Sequence, residues 1–146
     1  MARFGIFLVM IALIVGMVGC VTTPEIVEIR TWYDLDSVRD NLDGSYLLTN
    51  HLDSTTPGYE ELAGPNANKS PPWEPGKGWE PIGNRYESFT GRFDGQKYEI
   101  HDLCINRTDT DENPVGLFCA IDEGGLIENI GMVNATVNGF LSVGSL

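Results

Sequence analysis

The stretch Tyr98-Glu-Ile-His-Asp-Leu-Cys-Ile-Asn106 lines up with Gly125-Leu-Ile-Glu-Asn-Ile-Gly-Met-Val133. Ile100, Leu103 and Ile105 match Ile127, Ile130 and Met132 at an offset of 27, and Val115-Gly116 returns as Val143-Gly144 at 28. Two blocks recurring at nearly one offset point to an internal repeat. Periods in the twenties belong to solenoids, in which each turn of chain stacks on the one before. The Ile-x-x-Leu-x-Ile spacing suits inward residues at i and i+2, preceded by a bend that brings a third inside. Asn106, Asn129, Asn134 and Asn138 fall near the expected strand ends, where Asn tolerates left-handed backbone. A β-sandwich with two similar hairpins is the alternative, although sandwiches rarely keep a fixed sequence period.

Toward the N-terminus the pattern changes. Tyr46-Leu47-Leu48 reads as a strand, and Asp94-Gly95 is a strong reverse-turn signal. Between them, residues 53–78 are rich in Pro, Gly, Ser and Asn and read as a long polar excursion loop, which Trp73 and Trp79 could pin to the body. A helix is expected over 33–43. Thr31 and Asp34 have capping-box spacing, Leu35, Val38 and Leu42 share one helical face, and Gly44 is a natural stop.

Before this lies an address. Arg3 is the only charged residue ahead of Cys20, Phe4 to Val18 is almost wholly apolar, and Gly19-Cys20 precedes a polar turn in composition. That is the layout of a secretory signal. Met17-Val18-Gly19-Cys20 resembles the lipobox of bacterial lipoproteins, with Met17 in place of the usual leucine. The resemblance implies cleavage after residue 19 and a diacylglycerol on Cys20. The expected organisation is therefore a signal peptide over 1–19, a lipidated tether over 20–30 and one β-domain over 31–146. A single uncleaved membrane helix is the alternative, at the lower length limit for spanning and without a basic stop-transfer cluster. Either way the rest of the chain is expected outside the cytoplasm.

Further segments carry a wider resemblance. They are Trp32-Tyr-Asp-Leu-Asp-Ser-Val-Arg-Asp-Asn-Leu42, Gly44-Ser-Tyr-Leu-Leu-Thr-Asn50, Trp79-Glu-Pro-Ile-Gly83, Phe89-Thr-Gly-Arg-Phe-Asp-Gly95, Val115-Gly-Leu-Phe118 and Ile127-Glu-Asn-Ile-Gly131. In this order, over about four-fifths of the chain, they resemble the N-terminal part of GLUG-motif proteins. These are bacterial and archaeal surface proteins with repeated Val-Gly-Gly-Leu-Val-Gly-type segments. The resemblance implies an all-β fold, a short right-handed parallel β-helix (solenoid) with an N-terminal amphipathic capping helix, in adhesin-like or envelope proteins. It brings no catalytic residue. Members continue into further repeats, so the last rung is expected to be incomplete, with an open edge suited to self-association.

The formal charge of −12 repels phosphate backbones and argues against nucleic acid as a partner. With Cys20 lipidated, Cys104 and Cys119 are a candidate disulfide or a pair of buried thiols. No Cys-x-x-Cys is present, and no metal site or cofactor is expected. His51 and His101 read as solvent-facing strand residues, and without a histidine–nucleophile constellation hydrolase chemistry lacks support. Asp109-x-Asp111-x-Asn113 opens like a calcium loop, but Pro114 stands where the turn glycine belongs and no closing glutamate follows. An acidic turn is the simpler reading. Asn68-Lys-Ser70, Asn106-Arg-Thr108 and Asn134-Ala-Thr136 fit the glycosylation sequon, incidental in a bacterial lipoprotein.

The functional expectation is a lipid-anchored extracytoplasmic module for adhesion, binding or envelope structure, with no catalysis. Its partners would be the membrane, through the lipid, and surface proteins or glycans. Trp73, Trp79 and Tyr86 are the expected exposed rings for stacking on sugar. The alternatives are a carbohydrate-active enzyme, which would need three or more carboxylates converging in a groove, and a truncated fragment without independent function.

Overall fold

The computed structural model describes residues 25–108, 114–140 and 144. Among these residues eight short strands carry the fold: β1 (Ile26–Ile29), β2 (Ser45–Leu48), β3 (Arg92–Asp94), β4 (Glu99–His101), β5 (Cys104–Arg107), β6 (Leu126–Glu128), β7 (Gly131–Val133) and β8 (Thr136–Gly139). One α-helical turn, α1 (Trp32–Asp36), runs into a 3-10 turn over Ser37–Asp40. The strands form three small separate sheets, ordered β1-β2-β3-β6, β4-β7 and β5-β8, and every pairing between them is parallel.

Local sequence explains most of these elements. Thr31 and Asp34 form the capping box: the Thr31 hydroxyl accepts from the Asp34 N–H at 3.1 Å, and the Asp34 carboxylate accepts from the Thr31 N–H at 2.9 Å. The α-turn buries Trp32 and Leu35, and the 3-10 turn buries Val38. Along β2, β4 and β5, buried and less buried residues alternate. Tyr46 and Leu48 point inward on β2, Phe93 on β3, Ile100 on β4 and Ile105 on β5. At the corners Asp102, Asn129 and Asn134 take left-handed backbone with φ of 58°, 55° and 54°. These are the short polar residues that enter that region most readily.

Aromatic rings fill the centre. Trp32 lies 5.9 Å from both Trp79 and Tyr59, and Phe89 lies 4.9 Å from Phe118. The two buried indoles have their N–H groups satisfied, Trp32 by the Asp53 carbonyl and Trp79 by that of Leu117. The core thins toward β6, β7 and β8, where Ile127, Met132 and Val137 are only partly buried.

The expected regular β-helix is corrected by this architecture. The strands lie in three small sheets, and their pairing does not follow a 27-residue step. Phe93 pairs with Ile127, 34 positions on, while Ile100 pairs with Met132 and Ile105 with Val137, each 32 positions on. The two matched stretches are both strand–corner–strand passages, one covering β4 and β5 and the other β6 and β7. Their apolar spacing therefore agrees although they are one strand out of phase. The amphipathic helix expected over 33–43 is a shorter α-turn followed by a 3-10 turn, ending at Asp40.

Two other expectations change. Part of the expected tether, Ile26–Ile29, is β1, paired with β2. The polar excursion over 53–78 contributes to the core: Tyr59, Ala63 and Ala67 are buried, and Tyr59–Ala63 forms one wide turn closed by Gly64 N–H to the Tyr59 carbonyl at 2.7 Å. The expected signal peptide over 1–19, Cys20 and the calcium-like turn expected at 109–113 lie outside the described residues, as does the expected final rung apart from Gly144. Among the described residues no helix is long and apolar enough to cross a membrane.

Candidate functional site

Among the described residues, the group of side chains able to hold a metal ion sits on and beside the outer face of β4. Glu99 and His101 flank the buried Ile100, so strand alternation places both on the same outward side. His51 reaches them from the segment after β2. Leu52 forms a parallel bridge with Ile100, its N–H donating to the Glu99 carbonyl at 3.1 Å and its carbonyl accepting from the His101 N–H at 2.8 Å. Burial of Leu52 turns its neighbour His51 outward beside Glu99.

Donor atoms of His51, Glu99 and His101 all lie within 4.8 Å of one another. His101 Nε2 is 3.1 Å and His51 Nδ1 3.9 Å from Glu99 Oε2. The two imidazoles stand edge to face with centroids 5.6 Å apart, and Tyr98 packs edge-on against His51 at 5.4 Å. The Glu99 N–H donates to His51 Nδ1 at 3.1 Å. On the β7 side, Gly131 is the register partner of Glu99, and a Cβ there would come within 3.1 Å of Glu99 Cγ. Two imidazoles and one carboxylate can accept a proton, form ion pairs or ligate a metal. Sequence reading took both histidines as solvent-facing strand residues. What it missed was the bridge that brings residue 51 beside residues 99 and 101.

The expected glycan-stacking rings separate into two kinds. Trp73 and Tyr86 are strongly exposed, at 82% and 85%, with Arg85 set over the Tyr86 ring at 5.6 Å. Trp79 is fully buried, packed against Trp32 and covered by the Arg39 guanidinium at 4.5 Å, so it cannot meet a sugar. Cys104 and Cys119 are free thiols, the first partly buried and the second buried, and desolvation raises both above the ordinary thiol pKa. The candidate disulfide is thus not formed.

A second cluster surrounds Asp94 at the β3–β6 edge. Asp94 accepts from the Gln96 N–H at 2.9 Å, the Gln96 amide at 2.7 Å and the Asn129 amide at 3.0 Å. Arg92 bridges it to Glu128. These hydrogen bonds, led by the Gln96 backbone, hold the Asp94 carboxyl below its ordinary pKa. A surface cleft is lined by Glu80, Glu87, Arg39 and Arg107, with Arg39 ion-paired to Asp36 and Arg107 donating to the Trp79 carbonyl.

No family model matches the chain, and no solved structure matches it. Two curated relatives align with most of it. Over 129 residues it is 35% identical to Halomucin of Haloquadratum walsbyi, covering 84% of this chain and 1% of that protein. Over 117 residues it is 34% identical to a protein of Evansella cellulosilytica named as a Gly-rich membrane protein, covering 80% of this chain and 12% of that protein. The chain therefore spans only a small part of either relative.

Proposed function

We propose that this chain is a non-catalytic module of a surface- or membrane-associated protein, displayed outside the cytoplasm for adhesion, binding or envelope structure. The observation that carries the reading is the pattern of likeness. Four-fifths of the chain aligns with a small portion of much larger proteins, one of them named as a membrane protein. A segment recurring inside long chains behaves as a unit with its own core, and the centre built by Trp32, Trp79, Phe89 and Phe93 is such a core. The sequence resemblance to GLUG-motif surface proteins is part of this proposal, although no family model matches the chain.

In this reading a lipid on Cys20 holds the module at the membrane, and its partners are surface proteins or glycans. Trp73 and Tyr86 are the rings available for stacking on a sugar. The acidic balance keeps the module soluble and away from nucleic acid. Labelling of intact bacteria expressing the full chain, with a membrane-impermeant amine reagent, tests display directly. The module is expected to be labelled on whole cells to the same extent as after lysis. Labelling that appears only after lysis would place it inside and overturn the reading.

A further inference from the structure

We propose that His51, Glu99 and His101 bind one divalent transition-metal ion of the zinc class. With metal–ligand bonds of about 2.0–2.1 Å, tetrahedral geometry separates neighbouring donor atoms by about 3.3 Å. The separations from Glu99 Oε2, 3.1 Å to His101 Nε2 and 3.9 Å to His51 Nδ1, bracket that value. His101 Nε2 already contacts the carboxylate, whereas His51 Nδ1 accepts from the Glu99 N–H. Small side-chain rotations exchange their present contacts, the Glu99 N–H on His51 and the Glu99 carboxylate on His101, for a shared ion.

The His101–Glu99 ion pair accounts for two of the three residues, and the third, His51, is held beside them by the Glu99 N–H. His51 stands in the chain far from β4, and the Leu52–Ile100 bridge fixes it against the pair. Two protonated imidazoles 5.6 Å apart would repel each other, whereas one ion can share both. The backbone already holds the donors in place, so binding needs no loop closure. Gly131 helps by leaving the space beside Glu99 free of a side chain. Two nitrogen donors out of three select zinc, copper or nickel over calcium or magnesium, which prefer oxygen. Three protein ligands leave a position for water or for a donor from a bound partner.

Calorimetric titration of the full chain with zinc chloride near neutral pH tests this, alongside His51→Ala, His101→Ala and Glu99→Gln. His51 is exposed and Glu99 and His101 are half-buried, so an unchanged urea midpoint certifies that each variant is folded. One ion per chain is expected, with affinity reduced about tenfold or more in each histidine variant, as loss of a ligand requires. Cobalt should give d–d bands without a thiolate charge-transfer band, and excess calcium should not compete. Absence of saturable zinc binding, binding unaltered in both histidine variants, or a thiolate band abolished by Cys104→Ser and Cys119→Ser would each overturn the site.

Discussion

Asp94 is nearly enclosed, at 5% exposure, yet carries a charge that Gln96, Asn129 and Arg92 together hold in place. Its folded carboxyl titrates below the unfolded value of about 3.9, so it contributes stability that is complete well above that pH. The contribution is lost as pH falls through the lower folded value. Asp53, held below its ordinary pKa by Thr55 and Thr56, adds a loss of the same sign. Urea midpoints are therefore expected to stay level near neutrality and fall on acidification. Asp94→Asn should be less stable at neutral pH and should show a shallower acid-side fall, with equal slopes contradicting the account. At this scale the sequence was readable where chemistry is local: Thr31 and Asp34 announced their capping box, whereas the turn expected at Asp94-Gly95 is centred on Gln96-Lys97, with Asp94 ending β3. It was not readable where exposure depends on distant packing. Trp73 and Trp79 sit in similar Pro- and Gly-rich surroundings, yet one is solvent-facing and the other lies under Arg39 against Trp32. The grouping of His51 with Glu99 and His101 was hidden for the same reason, because it depends on a bridge across 48 positions.

The elements show why the strands were found and their partners were not. Ile-x-x-Leu-x-Ile marks a strand, a corner and another strand, and that passage occurs in both β4–β5 and β6–β7. Spacing identifies such a passage without saying which copy lies beside which. The 34-residue register of β3 and β6 predicts that Arg92→Cys and Leu126→Cys, both exposed positions, close a disulfide on mild oxidation once the native cysteines are serine. Parallel neighbours lie about 4.8 Å apart, within the range a disulfide spans. A 27-residue step would instead bring residue 92 beside 119, so Arg92→Cys retaining only native Cys119 should stay open. The reverse outcome, measured by mass after oxidation, would restore the sequence phase. Gly78 fixes another junction. Its φ is +66°, a Cβ there would lie 2.0 Å from the Cys104 carbonyl, and the next residue, Trp79, donates to that same carbonyl. Gly78→Ala is expected to cost about 3 kcal/mol, the sum of left-handed strain and overpacking. At Gly124, where the nearest atom is 3.7 Å away, alanine should cost about 1 kcal/mol. Urea denaturation measures both, and equal costs would show that the close approach at Gly78 is absent.

For the molecule as a whole, aromatic and aliphatic side chains from Ile29 to Phe118 make one core, which thins over the half-buried residues of β6, β7 and β8. Trp73 and Tyr86 remain exposed on this acidic chain, and in the proposed function they are the rings offered to a partner. The solenoid resemblance implied parallel pairing, and the strands themselves were legible because apolar positions recur at strand spacing. The separation into three sheets was not, because it depends on where polar corners such as Asp102 and Asn134 break the ladder. The central claim is that the module works tethered at the membrane surface. Its most direct test is the intact mass and membrane partitioning of the chain made in a lipoprotein-processing bacterium, beside Cys20→Ala. The account predicts that the parent chain loses residues 1–19, gains a diacylglycerol and sediments with the membrane, while the variant does neither. Parent and variant keeping the same unprocessed N-terminus and partitioning identically would contradict it.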